Sequence, residues 1–119
     1  MQAYLILLFP DSHPRGGHLE RWLSKMGAEL RIGDALFVFH SSGKSETFPT
    51  PATGTLKIHL CREGENLQSG MEIAVLSCSE AQAHEIEKKG LGKILTPDEY
   101  QTALAHAEAA SIRLPPHEL

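Results

Sequence analysis

The sequence lacks any apolar run long enough to cross a membrane as a helix, which takes roughly 18 to 20 consecutive apolar residues. The apolar segment Ala3–Phe9 also lacks a preceding basic region and a following small-residue cleavage site, the two marks of a signal peptide. We therefore interpret it as a strand, and we expect a soluble, cytoplasmic protein with no membrane partner.

Cysteine is scarce, with only Cys61 and Cys78 and no Cys-x-x-Cys pair. This excludes the dense disulfide framework of small secreted domains, so we expect both thiols to be reduced. Cys61 lies beside Arg62 and is a candidate nucleophile, because a neighbouring cation favours the thiolate. Cys78 follows an apolar run and is expected to be semi-buried.

Motifs for nucleotide binding and serine catalysis are also missing. The string SSGKS around Lys44 shares only its ending with a phosphate-binding loop, because Val38 stands where that pattern needs its first glycine. No Gly-x-Ser-x-Gly elbow occurs. The seven histidines are scattered without the short spacing of a zinc site, which favours solvated or structurally bonded side chains. They are His13, His18, His40, His59, His84, His106 and His117.

The formal charge of −4 reflects a shortage of Lys and Arg, and it disfavours broad nucleic-acid binding, which needs clustered cations. It suits a protein that covers the basic surface of a protein partner. The acidic side chains that would do so are Glu63, Glu65, Glu72, Glu80, Glu85 and Glu87. With 119 residues, 41% of them hydrophobic, we expect one domain spanning residues 1–119, with a frayed tail at 113–119.

Two segments carry the clearest strand signals. Ala3–Phe9 is a continuous apolar run closed by Pro10, as in a strand covered on both faces. Gly27–Ser41 predicts two strands meeting at a turn, or one bent strand, and we expect both segments in the middle of one sheet. Between them, His18–Met26 has helical apolar spacing and ends at a glycine, which predicts a helix.

The stretch Ser41–Gly54 is rich in Ser, Thr, Gly and Pro and predicts an exposed loop. Thr55–Cys61 alternates like a strand but also suits a short helix, and periodicity slightly favours the strand. Met71–Leu76 predicts a further strand.

Two helices are predicted near the C-terminus from their capping residues. Ser79 is a candidate cap for a helix that begins near Glu80 and ends at Gly90. Thr96 and Glu99 form a capping box around Pro97, which predicts the start of the last helix.

The element order resembles a known family across roughly residues 3 to 77. The segments YLILLFPD, HLERWLSKMG, AELRIGDALFVFHSS and LKIHLCREGENLQSGMEIAVLS are similar to those of the small ferredoxin-like proteins that include the smaller CRISPR-adaptation protein and its SinR-like relatives. The resemblance implies an α+β, ferredoxin-like fold with a mixed or antiparallel sheet and two or more helices, extended here by C-terminal helices. A strand at 55–61 would remove the simple family topology.

The resemblance also implies a homodimer and a metal-dependent nuclease activity. It marks Asp11 as a ligand for Mg²⁺ or Mn²⁺, one from each subunit, with His13 and Arg15 as further catalytic candidates in the same loop. The alternative for Asp11 is a Pro-Asp-Ser turn in which the carboxylate bonds nearby amides. Because no second carboxylate is close in sequence, we favour a non-catalytic interaction or regulatory protein without a cofactor, with the nuclease as the alternative.

Overall fold

The computed structural model describes the backbone of residues 2–10 and 16–113 and the side chains of these ranges up to residue 107. The described strands are β1 (Gln2–Leu8), β2 (Gly17–Trp22), β3 (Glu29–Leu30), β4 (Ala35–Ser41), β5 (Lys44–Pro49), β6 (Gly54–His59), β7 (Asn66–Leu67), β8 (Glu72–Ser79) and β9 (Gly92–Leu95). The described helices are α1 (Glu80–Lys88) and α2 (Pro97–Arg113). The tail predicted at 113–119 lies almost wholly outside this range.

The strands form two antiparallel sheets. Sheet A has the order β3-β6-β8-β1-β9, and sheet B has the order β5-β4-β2-β7. Their facing side chains make one core, in which Leu5 and Leu76 of sheet A share a cluster with Leu19, Phe37 and Phe39 of sheet B. In its described ranges the chain is thus an α+β protein with two antiparallel sheets and two helices, which agrees with the predicted α+β class.

Strand β1 is covered on both faces, as its continuous apolar run predicts. Leu5 and Leu7 point into the core between the sheets, and Ile6 belongs to a second cluster with Tyr100 of α2. The strand also has neighbours on both sides, β8 and β9. The prediction that this segment is central is therefore confirmed.

The predicted helix at His18–Met26 is wrong. Residues 17–22 form strand β2, which pairs with β4 through a bulge between Leu19 and Arg21. The helical spacing does not describe a buried face, because Leu19 is fully buried while Leu23 and Met26 are 44% and 56% exposed. Pairing with an apolar neighbouring strand outweighs the local pattern here.

The prediction of strands within Gly27–Ser41 is confirmed by β3 and β4, which are separated by a turn at Gly33. The expectation that this segment and β1 share one sheet is wrong for β4, since β4 lies in sheet B. The loop predicted at Ser41–Gly54 is wrong for Lys44–Pro49, which form strand β5 and pair with β4. Ser42 and Gly43 both have positive φ, which is the backbone of a two-residue hairpin turn with the twist of the flanking strands.

The ambiguity at Thr55–Cys61 is resolved in favour of a strand, β6, which pairs with β8. Gly54 is required at the start of β6, because a Cβ there would lie 2.1 Å from the Ser77 carbonyl oxygen. The predicted strand at Met71–Leu76 corresponds to β8. The described order thus lacks the two helices that a strand-helix-strand-strand-helix-strand arrangement would place before β8.

Both C-terminal helices begin at their predicted caps. The Ser79 hydroxyl accepts a hydrogen bond from Gln82 N at the start of α1. At the start of α2, Thr96 Oγ1 accepts from Glu99 N at 3.1 Å, and the Glu99 carboxylate accepts from Thr96 N at 2.8 Å. Helix α2 then covers the outer face of sheet A, where Tyr100 stacks on Tyr4.

Candidate functional site

The sequence-predicted site residues Asp11, His13 and Arg15 lie outside the described residues. The chain on either side of them is described. Pro10 lines a cleft at the end of β1, and the carbonyl of Gly16 accepts a hydrogen bond from the buried Ser41 hydroxyl at 2.8 Å. The metal-binding and catalytic roles predicted for the three residues therefore stay predictions.

The cleft beside Pro10 opens between the two sheets and has a volume of about 370 Å³. That volume lies within the range of small-ligand pockets, roughly 300 to 1,000 Å³. Sheet A and the loop before β9 provide one wall, and β4, β5 and the following residues provide the other. The described lining residues are Leu7, Leu8, Pro10, Phe39, Glu46, Thr47, Phe48, Pro49, Thr50, Pro51 and Leu91.

Aromatic rings hold the sheet B wall of the cleft in place. Phe48 is half-buried and stacks on Phe37 with centroids 5.0 Å apart and planes 11° from parallel. Phe39 meets Phe9 edge to face at 5.3 Å. Such pairs add stability beyond their buried area, so they stabilise this apolar wall.

Glu46 is the one ionisable residue among the described residues that line the cleft. It is the cross-strand neighbour of Phe39, so both side chains project from the same face of sheet B. Glu46 is exposed, and its carboxylate makes no hydrogen bond or ion pair with any described residue. Thr50, by contrast, is buried and its hydroxyl already donates to Ala52 O. The cleft therefore offers an apolar surface with one carboxylate at its edge.

A second polar group lies on the outer face of sheet B. Ser45 Oγ donates to Glu20 Oε1 at 2.6 Å, and His40 Nδ1 lies 3.4 Å from the same oxygen. The Ser45 hydrogen bond, then His40, lowers the pKa of Glu20 against the opposing effect of desolvation. His18 lies against His40 with centroids 5.3 Å apart.

This outer group does not have the arrangement of a serine hydrolase site. The Ser45 hydroxyl is bonded to the carboxylate instead of to a histidine nitrogen, so no imidazole is positioned to take its proton. Sequence reasoning missed the group because Glu20, His40 and Ser45 come from three strands. Only the correct pairing of β2, β4 and β5 could have brought them together.

The candidate nucleophile Cys61 is unsuited to that role, because it is buried and burial raises the pKa of its thiol to about 12. Its Sγ donates to Glu72 O at 3.3 Å instead of facing solvent. Cys78 is buried as well, and burial raises its pKa too. Neither thiol is positioned as a reactive thiolate at neutral pH.

Half of the predicted acidic surface is engaged within the fold. Glu63 accepts from Trp22 N at 2.9 Å, Glu65 accepts from Arg62 N at 2.8 Å, and Glu87 accepts from Ile94 N at 3.0 Å. All six are exposed, and the carboxylates of Glu72, Glu80 and Glu85 make no hydrogen bond with a described residue. The first three glutamates thus have structural roles that the sequence did not indicate.

Within the described ranges, no cluster of three or more His, Cys, Asp or Glu side chains is arranged to hold a metal ion. No described helix is long and apolar enough to cross a membrane. Comparison of the chain with protein-family models gives no match, and comparison with curated proteins gives none either.

Proposed function

We propose that this protein is a non-catalytic interaction module whose cleft binds a segment of a protein partner. The observation that carries the proposal is the lining of the cleft, an apolar wall of stacked aromatic rings with the single described carboxylate of Glu46 at its edge. An apolar side chain fills such a surface favourably, because burial contributes roughly 25 cal/mol per Å² of apolar area. A neighbouring Lys or Arg of the partner would meet Glu46.

The chemistry of the cleft supports binding ahead of catalysis. Apart from Glu46, its described lining offers threonine and backbone groups and no nucleophile, base or described cation. A partner segment with an apolar residue beside a basic one matches both parts of the surface. The net charge of −4 on the whole chain favours the same kind of partner.

Selection of random peptides displayed on phage against the full chain tests this proposal. We expect the enriched peptides to carry a large apolar residue adjacent to Lys or Arg. Leu91→Trp, which fills the half-buried rim of the cleft, should abolish their binding. Leu23→Trp is the matched control, since Leu23 is 44% exposed and does not line the cleft. If peptide binding is lost in Leu23→Trp and retained in Leu91→Trp, the binding site lies outside the cleft and the proposal is contradicted.

The ferredoxin-like relationship, the homodimer and the nuclease alternative stay predictions. The antiparallel α+β architecture supports the first, while the strands at Gly17–Trp22 and Gly54–His59 count against the simple topology. A nuclease assay with Mg²⁺ or Mn²⁺ tests the alternative. Cleavage by wild type that is lost in Asp11→Ala would favour it over binding alone.

A further inference from the structure

Strand β5 forms one edge of sheet B and has no strand on its outer side among the described residues. Five of its six residues are exposed, the exception being Phe48. A free edge offers unpaired backbone N–H and C=O groups to another strand. Which of these groups face outward follows from the hairpin.

The two-residue turn at Ser42 and Gly43 makes Ser41 and Lys44 a hydrogen-bonded pair. Pairing then alternates along the ladder, so that Glu46 and Phe48 also bond to β4. The backbone groups of Ser45 and Thr47 therefore point to the free edge. Pro49 has the same outward orientation but carries no N–H.

We propose that β5 pairs antiparallel with β5 of a second copy, with Ser45 opposite Ser45 of that copy. In this register each Lys44 lies opposite Glu46 of the other copy, which forms two symmetric cross-strand ion pairs. Both side chains are exposed, and neither forms an ion pair with another described residue. In this register, β5 of one copy is therefore complementary in charge to β5 of the other copy.

Three alternative registers are less favourable. A shift that puts Ser45 opposite Gly43 places the two Lys44 ammonium groups directly opposite each other, which is repulsive. A shift that puts Ser45 opposite Thr47 places the two Glu46 carboxylates directly opposite each other, which is repulsive. A shift that centres the pair on Thr47 puts Ser45 opposite Pro49 at two symmetric places, and each place lacks one hydrogen-bond donor. Charge and proline position together select the Ser45-centred pairing.

The pairing has a consequence for the cleft, because it brings a lysine ammonium to Glu46. Self-association would then compete with a partner segment for the same carboxylate. This consequence rests on the proposed function, whereas the pairing of β5 does not. The mass of the protein in solution tests the β5 pairing, and peptide binding tests the proposed function. Failure of either proposal is therefore distinguishable from failure of the other.

Analytical ultracentrifugation of charge variants tests the ion pairs. We expect a wild-type dimer at high concentration, and a dissociation constant raised about tenfold or more by Lys44→Glu, which replaces two attractions by repulsions. The double variant Lys44→Glu/Glu46→Lys should restore dimerisation. Lys93→Glu, on the exposed position of β9, is the control for net charge and should change little. A wild type that stays monomeric at its highest attainable concentration, or a double variant no tighter than Lys44→Glu, overturns the proposal.

Disulfide trapping tests the register itself. In the proposed pairing the two residues at position 45 have Cα atoms about 5.5 Å apart, within reach of a disulfide. Oxidised Ser45→Cys should form a covalent dimer, while Thr47→Cys should not, because its two copies would be about 13 Å apart along the strands. The native Cys61 and Cys78 are buried and do not compete. Crosslinking through Thr47→Cys and not through Ser45→Cys would overturn the register.

Discussion

The Trp22 indole and the His59 imidazole lie face to face, with ring centroids 3.8 Å apart and planes 8° from parallel. Trp22 Nε1 donates to Cys61 O at 2.9 Å, and His59 Nε2 lies 2.9 Å from Ser24 O. Because a carbonyl only accepts, this histidine carries its proton on Nε2. The stack joins β2 of sheet B to β6 of sheet A.

Burial at this stack makes the stability of the protein depend on pH. Desolvation lowers the pKa of His59 below its ordinary value of 6.5, against smaller opposing effects of the Ser24 carbonyl and Glu63. As the pH falls, His59 therefore binds a proton at a higher pH in the unfolded chain than in the folded protein. The stability contributed by neutral His59 is complete above pH 6.5 and is lost as the pH falls toward the lowered pKa.

We expect the free energy of unfolding in urea to decrease as the pH falls from about 6.5 to about 5. His59→Phe keeps a ring on Trp22 but cannot titrate, so this variant should lose less stability over the same range. His84→Gln, at an exposed position of α1, serves as the control and should behave as wild type. An equal pH dependence in wild type and His59→Phe would show that another group is responsible.

Thr96→Ala removes the hydroxyl that caps α2, and we expect it to cost about 1 kcal/mol of unfolding free energy. The loss should be visible by urea denaturation, because α2 covers the outer face of sheet A. Thr102→Ala is the matched control. Its hydroxyl is exposed and donates only to Asp98 O within the helix, so the change should be within about 0.5 kcal/mol. Equal effects of the two substitutions would contradict the assigned cap.

Both thiols should resist alkylation in the folded protein. Burial protects Cys61 and Cys78 from iodoacetamide and keeps them protonated, with the pKa of Cys61 at about 12. Mass spectrometry should show slow labelling in buffer at about pH 8 and rapid labelling of both after unfolding in guanidinium. Rapid labelling of folded protein at either residue would refute this burial.

The sequence predicted best where a few neighbouring residues determine the structure. Ser79, Thr96 and Glu99 bond to backbone groups within their own first helical turn, so their roles follow from local spacing. The apolar run of β1 likewise indicates a strand buried on both faces.

Prediction failed where partners distant in sequence decide the outcome. Leu19 and Trp22 have helical spacing, yet they form a strand because β4 supplies the backbone pairing. The polar strand β5 was unrecognisable because its only half-buried side chain is Phe48.

The cleft could not be predicted for the same reason. Its walls come from Leu7, Phe39, Phe48 and Leu91, which only the pairing of the sheets brings together. No local sequence pattern connects these residues with Glu46.

Isothermal titration of a selected peptide against wild type and Glu46→Gln most directly tests the proposed binding site. At protein concentrations low enough to keep the chain monomeric, we expect Glu46→Gln to weaken binding roughly two- to fivefold, as removal of a partly exposed ion pair should. Glu85→Gln is the matched control, an exposed glutamate on α1 that does not line the cleft. Unchanged affinity in Glu46→Gln, or an equal loss in Glu85→Gln, would contradict binding at the cleft.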